Sequence, residues 1–121
     1  MNKMFKLLAT FIFALILATP ISAFAFGAIA VDDEEGELDP GVGFVTGEAS
    51  ESDAKAGALK QCRALGNKDC KIAGWFKECG AYAGSRKYSG FGFGSTKKVA
   101  EARAMDKCGD PACKIIISEC E

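Results

Sequence analysis

The sequence predicts an α+β fold in which two pseudo-repeats of β-β-α-β order form an antiparallel-rich sheet, stapled by disulfides, with two helices on one side. Residues 62–79 and 108–120 both place Cys-Lys-Ile at the start of an expected strand and Glu-Cys at its end. Small residues precede both stretches at the same helical spacing; they are Ala54, Ala58 and Cys62, then Ala100, Ala104 and Cys108. Repeat one is therefore predicted at 26–79 and repeat two at 80–121.

Residues 1–25 are predicted to be a signal peptide. Lysines come first, residues 7–21 are mostly apolar, and Ala-Phe-Ala at 23–25 supplies the small residues that precede a cleavage site. The competing interpretation is a retained membrane helix, which is disfavoured because the apolar run is short for a hydrocarbon core of ~30 Å. Residues 26–121 then form one small domain, and we expect the protein to be periplasmic or secreted.

The first repeat contains signals for two strands, a helix and a third strand. Residues 26–31 and 42–46 are short, apolar and partly β-branched, which favours strands. Ser50 is placed to cap a helix, and Gly-Asn at 66–67 is expected to end it. Residues 70–79 are then expected to form one strand that leads towards the second repeat.

An acidic run separates the first two strands. Residues 32–39 hold six acidic side chains in eight positions and a single apolar one, so the sequence predicts a solvated hairpin loop. Carboxylates could also bind Ca²⁺, but their spacing does not match an EF-hand. We therefore predict no metal site, and cation binding by this loop stays an open alternative.

The second repeat follows the same order with shorter loops. Residues 80–83 match 27–30, and Thr96 stands where Ser50 caps the first helix. Phe91 and Phe93 fall on one face of a strand with glycines on the other. The favoured interpretation is that both rings are core and that the glycines permit close approach of another element; a ligand groove is the alternative.

An even number of cysteines in a short exported chain is typical of a disulfide framework. Each predicted helix ends in a cysteine, and a second cysteine follows after a turn, which places the two within reach of each other. The predicted pairs are Cys62–Cys70, Cys108–Cys113 and Cys79–Cys120. The last pair is expected to join the two repeats, and the rival assignment links Cys62 to Cys108.

These residues resemble a secreted bacterial family called domain of unknown function 4189, over nearly all of the mature chain. The resemblance rests on residues 27–30, 42–46, 75–76, 79–81 and 90–94, with Cys62, Cys70, Cys108, Cys113 and Cys120. It implies a small exported domain of two ββα-type repeats and no catalytic residues. The acidic run at 32–39 departs from the family's pattern, so the resemblance implies no role for it.

The available chemistry is narrow. The sequence has no histidine, which excludes Ser-His-Asp and Cys-His nucleophile systems and histidine-based metal sites. No two cysteines have the Cys-x-x-Cys spacing of redox motifs. The glycines at 90–94 lack the context of a dinucleotide site. The net charge of −1 comes without a basic block, so we expect no nucleic-acid partner and no cofactor.

Aromatic and basic residues on both sides of the boundary between the repeats are the candidate binding surface, because such side chains are enriched at binding hot spots. They are Trp75, Tyr82, Arg86, Lys87 and Tyr88. The alternative is that Trp75, which we favour as core, packs inside and that the basic turn is merely solvated.

The predicted function is a non-enzymatic exported domain that binds a protein or cell-envelope partner, for example as an inhibitor or immunity protein. The alternatives are a small hydrolase that uses carboxylates and a structural envelope protein. Glycoside hydrolysis by paired carboxylates would require a cleft. We expect no membrane span after cleavage of the signal peptide, and the sequence leaves the oligomeric state open.

Overall fold

The structure is a computed structural model that describes residues 25–33 and 40–121. The predicted signal peptide up to residue 24 and residues 34–39 of the acidic run lie outside the described residues. The elements are β1 (Phe26–Asp32), β2 (Gly41–Glu48), α1 (Glu51–Ala64), β3 (Lys71–Phe76), β4 (Cys79–Gly84), β5 (Ser89–Gly94), α2 (Lys97–Cys108) and β6 (Lys114–Cys120). The predicted α+β class and the duplicated β-β-α-β order are confirmed.

The six strands form two sheets, with orders β2-β1-β3 and β5-β4-β6 and antiparallel pairing throughout. The expectation of one sheet with both helices on one side was therefore wrong. Alternate residues of the central strands explain the difference, because successive side chains of a strand point to opposite faces. In β1, Ala28 and Ala30 pack against α1, whereas Ile29 and Val31 form a cluster with Tyr82 of β4. Each sheet thus has two apolar faces, and the face without a helix is covered by the other sheet.

The resulting order of layers is helix, sheet, sheet, helix. Under α1 the core consists of small side chains and Cys62, and under α2 an equivalent cluster contains Ala81, Ala83 and Cys108. Glycines bring helix and sheet together, because a Cβ on Gly43 would clash with the backbone of Cys62, and one on Gly90 with that of Cys108. The small-residue pattern in the sequence therefore reflects close helix–sheet packing.

The two modules share the pairing register of their first and last strands as well as the order of their elements. The pairing of β1 with β3 shifts between Ile29 and Ala30, and that of β4 with β6 shifts between Tyr82 and Ala83. Ile29 thus corresponds to Tyr82, and residues at matched places of the two modules are called equivalent below. The duplication thus includes the irregularity of this strand pair, which makes each module an internal control for the other.

The predicted helix caps are confirmed. The Ser50 hydroxyl accepts a hydrogen bond of 3.1 Å from the amide of Asp53, and the Thr96 hydroxyl accepts one of 3.1 Å from Val99. Each of these bonds satisfies an amide that lacks an intrahelical partner. At the other end α2 stops at Gly109, whose φ of 68° is left-handed and is readily adopted by glycine.

The structure confirms the predicted disulfide pairing. The bonds are Cys62–Cys70, Cys79–Cys120 and Cys108–Cys113. The expectation that Cys79 ends a strand at 70–79 was wrong, because the chain leaves β3 after Phe76 and Cys79 opens β4. The Cys79–Cys120 bond therefore links two neighbouring strands of the second sheet and does not join the two modules.

The modules are held together by other contacts. The inter-sheet cluster includes Phe44 of β2 and Phe91 of β5, which are equivalent residues. The Oε2 atom of Glu121 also accepts a hydrogen bond of 2.7 Å from the amide of Gly47. Apolar burial between the sheets stabilises this arrangement by about 25 cal/mol per Å² of area removed from water.

Candidate functional site

The residues predicted as a binding surface are divided among three places. Trp75 lies near the end of β3, Tyr82 lies inside the molecule, and residues 85–88 form the turn between β4 and β5. Only the turn presents its side chains as a group to solvent. The structure therefore does not bring the five predicted residues together.

Tyr82 is 3% exposed and belongs to the inter-sheet cluster. Its hydroxyl donates a hydrogen bond of 2.5 Å to the Oδ2 atom of Asp33. Burial, assisted by this bond, raises the pKa of Tyr82 to about 12. Tyr82 thus connects the second sheet to the end of the first sheet, and its ring is not available to a partner.

Trp75 is half-buried and packs on the outer, helix-facing side of the first sheet. Its ring centroid lies 6.0 Å from that of Phe26, with an angle of 32° between the planes. It pairs across the strands with Ala28, which faces α1. This position agrees with the interpretation of Trp75 as a core residue.

The turn between β4 and β5 is well organised and exposed. Ser85 accepts hydrogen bonds at its hydroxyl from the amides of Lys87 (3.4 Å) and Tyr88 (3.1 Å). The side chains of Arg86 and Lys87 are exposed, and Tyr88 is 53% exposed. The turn therefore holds two cations and an aromatic ring on a backbone fixed by its own hydrogen bonds.

This turn borders a groove of about 1100 Å³, here called the basic groove. It is lined by Asp32, Asp33, Lys68, Asp69, Cys70, Lys71 and residues 85–89. Four of these side chains are basic and three are acidic. Two of the acidic groups are engaged within the protein, so the groups left facing the solvent are mostly cationic.

Asp32 and Asp33 are the two acidic residues whose carboxylates are engaged within the protein. The Oδ2 atom of Asp32 accepts hydrogen bonds of 3.1 and 3.2 Å from the amides of Lys68 and Asp69, and Asp32 is 9% exposed. Asp33 accepts from Tyr82 and lies 3.9 Å from the Lys71 ammonium. The expectation that the whole acidic run is solvated was therefore wrong for its first residue, whose carboxylate fixes the turn before β3.

A second groove, of about 680 Å³, opens between β3 and β5 and is called the aromatic groove. It is lined by residues 74–79, Phe91, residues 93–95 and Arg103. Phe93 is 55% exposed, so the expectation that it belongs to the core was wrong, whereas Phe91 does pack between the sheets. Phe93 lies on the edge strand β5 and lines the groove between the two sheets, which a one-sheet prediction could not reveal.

The two grooves lie at opposite ends of β4. Cys79, at the start of this strand, lines the aromatic groove, and Gly84, at its end, leads into the turn of the basic groove. A six-residue strand spans about 20 Å. The grooves are therefore separate surfaces.

Within residues 25–33 and 40–121, no helix is long and apolar enough to span a membrane. In the same ranges, no cluster of three or more His, Cys, Asp or Glu residues is arranged to hold a metal ion.

The fold and its grooves define a small, disulfide-bonded α+β domain of duplicated modules with two solvent-facing surfaces. The chain belongs to the family described as Domain of unknown function (DUF4189), whose sequence profile matches residues 26–120. The resemblance noted in the sequence is thereby confirmed.

One solved structure illustrates the same fold. It is the NMR structure of Rv1813c from Mycobacterium tuberculosis, which is similar with a TM-score of 0.51 and 22% sequence identity, over 84% of this chain and 80% of that one. At this identity the likeness supports the fold alone. No curated protein sequence matches the chain significantly.

Proposed function

We propose that this protein is an exported, non-enzymatic domain that binds an acidic partner protein through the basic groove. The observation that carries the proposal is the exposed turn of Arg86, Lys87 and Tyr88 beside Lys68 and Lys71. Arginine and tyrosine are enriched among residues that dominate binding energies. An inhibitor or immunity protein is one concrete form of such a binder.

The charges around the groove favour an acidic partner. The carboxylates of Asp32 and Asp33 already accept hydrogen bonds from within the protein. Among the described residues neither Arg86 nor Lys87 forms an ion pair, so both can attract external carboxylates. Exposed charges of this kind mainly increase the rate of association and its salt dependence. Binding should therefore weaken as the ionic strength rises.

The side chains also favour binding over catalysis. The sequence has no histidine, and all its cysteines are in disulfides, so none is a free thiol nucleophile. The Asp32 carboxylate lines the basic groove but is 9% exposed, and its Oδ2 atom is occupied by two backbone amides, which suits a structural role better than hydrolysis. These features support a surface that recognises a macromolecule.

A pull-down from periplasmic extract or culture medium tests the proposal. The mature domain should retain one partner stoichiometrically at low salt, and that partner should be acidic. The triple variant Arg86→Ala, Lys87→Ala, Tyr88→Ala should lose it.

The matched control is Lys60→Ala, Arg63→Ala, Leu65→Ala, which removes two exposed cations and one exposed apolar side chain from α1 and its cap. This control should retain the partner. Equal capture by both triple variants, or no stoichiometric partner at all, would contradict the proposal.

Export is tested separately by intact mass. The proposal expects the exported form to begin at Phe26, because Ala-Phe-Ala precedes it. Recovery of the protein with residues 1–25 still attached would defeat the export part.

A further inference from the structure

The aromatic groove holds an exposed ring that the fold does not require. Gly43 and Gly90 are equivalent, since each lies against the end of its helix at Cys62 or Cys108. Further along this strand, the first module has a bulge of Thr46 and Gly47 where the second module has Phe93 paired with Gly80. The first module thus needs no large side chain at this place, and the 55% exposed ring of Phe93 is an addition specific to the second module.

An arginine specific to the second module is fixed beside this ring. The equivalent of Arg103 is Gly57, by the spacing of the buried alanines in each helix. One terminal nitrogen of Arg103 donates a hydrogen bond of 2.7 Å to the carbonyl oxygen of Phe93. The ion pairs among the described residues do not include Arg103. A guanidinium has five donors, so several have no partner among the described residues.

The surrounding groove is open, partly apolar and basic at its rim. β3 and β5 are outer strands of their sheets, and the groove lies between them. Gly74 and the half-buried Phe91 line its floor, and Lys77 and Arg103 outnumber Glu78 among its charged residues. A ligand that fits must combine an apolar group with negative charge.

We propose that the aromatic groove binds an extended, internal segment of a polypeptide in which an apolar side chain neighbours an aspartate or glutamate. The apolar side chain packs on Phe93, and the carboxylate pairs with Arg103. Arginine suits this role because its planar fork binds a carboxylate through two parallel hydrogen bonds. The surface is distinct from the basic groove and goes beyond the function proposed above.

The hydrogen bond from Arg103 to the carbonyl oxygen of Phe93 orders the side chain of Arg103. It fixes the guanidinium at the backbone of the residue that carries the ring, so less side-chain freedom is lost when a carboxylate arrives. An apolar anchor beside a charge-assisted hydrogen bond is a recurrent arrangement at interface hot spots. The two residues absent from the first module thus act as one recognition unit.

Titration of the ¹⁵N-labelled mature domain with blocked peptides tests the proposal. The probe is acetyl-Gly-Phe-Glu-Phe-Gly-amide, and its partner probe carries Gln in place of Glu. We expect the Glu probe to shift the amide signals of Phe93, Gly94 and Arg103. The Gln probe should bind about tenfold more weakly, because it lacks the charge-assisted bond.

Two variants separate the contribution of the Phe93 ring from that of the Arg103 guanidinium. Phe93→Thr, which installs a residue of the first module's bulge, should weaken both probes while leaving the rest of the spectrum unchanged. Arg103→Gln should abolish the preference for Glu over Gln. Arg63→Gln removes an exposed arginine from α1 and should change neither affinity.

Several results would overturn the proposal. They are equal binding of the Glu and Gln probes, unchanged binding by Phe93→Thr, and signal shifts confined to other surfaces. A Gln probe with a free C-terminal carboxylate that binds as tightly as the blocked Glu probe would also overturn it, since the site would then recognise chain ends. None of these results bears on the basic groove, which the variants leave intact.

Discussion

The ammonium group of Lys77 lies 5.1 Å from the centroid of the Phe26 ring. The equivalent pair in the second module is Cys79 and Cys120. Gly27 pairs with Phe76 in the first module, and Gly80 pairs with Glu119 in the second. One residue further along each strand, Phe26 and Lys77 therefore correspond to Cys79 and Cys120. The same corner is thus closed by a disulfide in one module and by a cation–π contact in the other. A cation–π contact contributes about 0.5–1 kcal/mol at an exposed site, much less than a disulfide.

This equivalence predicts that Phe26→Cys, Lys77→Cys will form a fourth disulfide. In the chain-entropy model a bridge that closes a loop of this length contributes about 4 kcal/mol. Loss of the half-buried Phe26 ring offsets about 2 kcal/mol of that. The melting temperature should rise by about 5 °C or more. Intact mass under non-reducing conditions checks the bond, and each single cysteine variant serves as the control; a melting temperature below wild type would contradict the prediction.

The sequence predicted much of the fold because the duplication constrains it. Repeated cysteines at matched helix ends selected the disulfide pairing, and repeated alanines located the helix faces. The division into two sheets was missed, although Ala28 and Ile29 alternate in a way that marks two buried faces. The role of Cys79 was missed because Glu-Cys occurs in both repeats and suggests the same place in each, whereas two extra residues after β3 move Cys79 into β4.

The candidate site was less accessible to sequence reasoning. The basic turn at 85–88 was found from its composition, because a turn exposes its side chains whatever the fold. Phe93 was misassigned, since its exposure depends on how the two sheets pack together. Arg103 carried no signal of its own. The strand register and the helix spacing of the structure isolate both, as a large ring and a cation that the first module lacks.

The disulfides should differ in their contribution to stability. Cys79–Cys120 closes a separation of 41 residues, against 8 for Cys62–Cys70 and 5 for Cys108–Cys113. The chain-entropy model gives about 4 kcal/mol for the first and about 2 kcal/mol for each of the others. Denaturant unfolding of the three paired Cys→Ala variants tests this order. A local pair whose removal costs more than that of Cys79 and Cys120 would show that native-state contacts decide the ranking.

Close helix–sheet packing predicts that Gly92→Ala is strongly destabilising. A Cβ at this position would clash with the backbone of Ala100 and Ala104, which cannot rotate away. We expect a loss of about 3 kcal/mol in the free energy of unfolding. Gly84→Ala is the control, because its Cβ would lie 3.7 Å from the nearest atom, on Ile116. Similar midpoints of denaturation for the two variants would contradict the packing.

Tyr82 provides a test of the interface between the modules. Its pKa is raised to about 12, chiefly by burial and then by its hydrogen bond to Asp33. The sequence has two tyrosines, so in Tyr88→Phe the absorbance of tyrosinate reports on Tyr82 alone. We expect a midpoint near pH 12, and a midpoint near 10 would mean that the ring is solvated. Because the folded state holds this proton more tightly than the unfolded state, the stabilisation is fully present below pH 10 and is lost as the pH rises towards 12. Tyr82→Phe should remove that part of the decline in stability while keeping the apolar contact between the sheets.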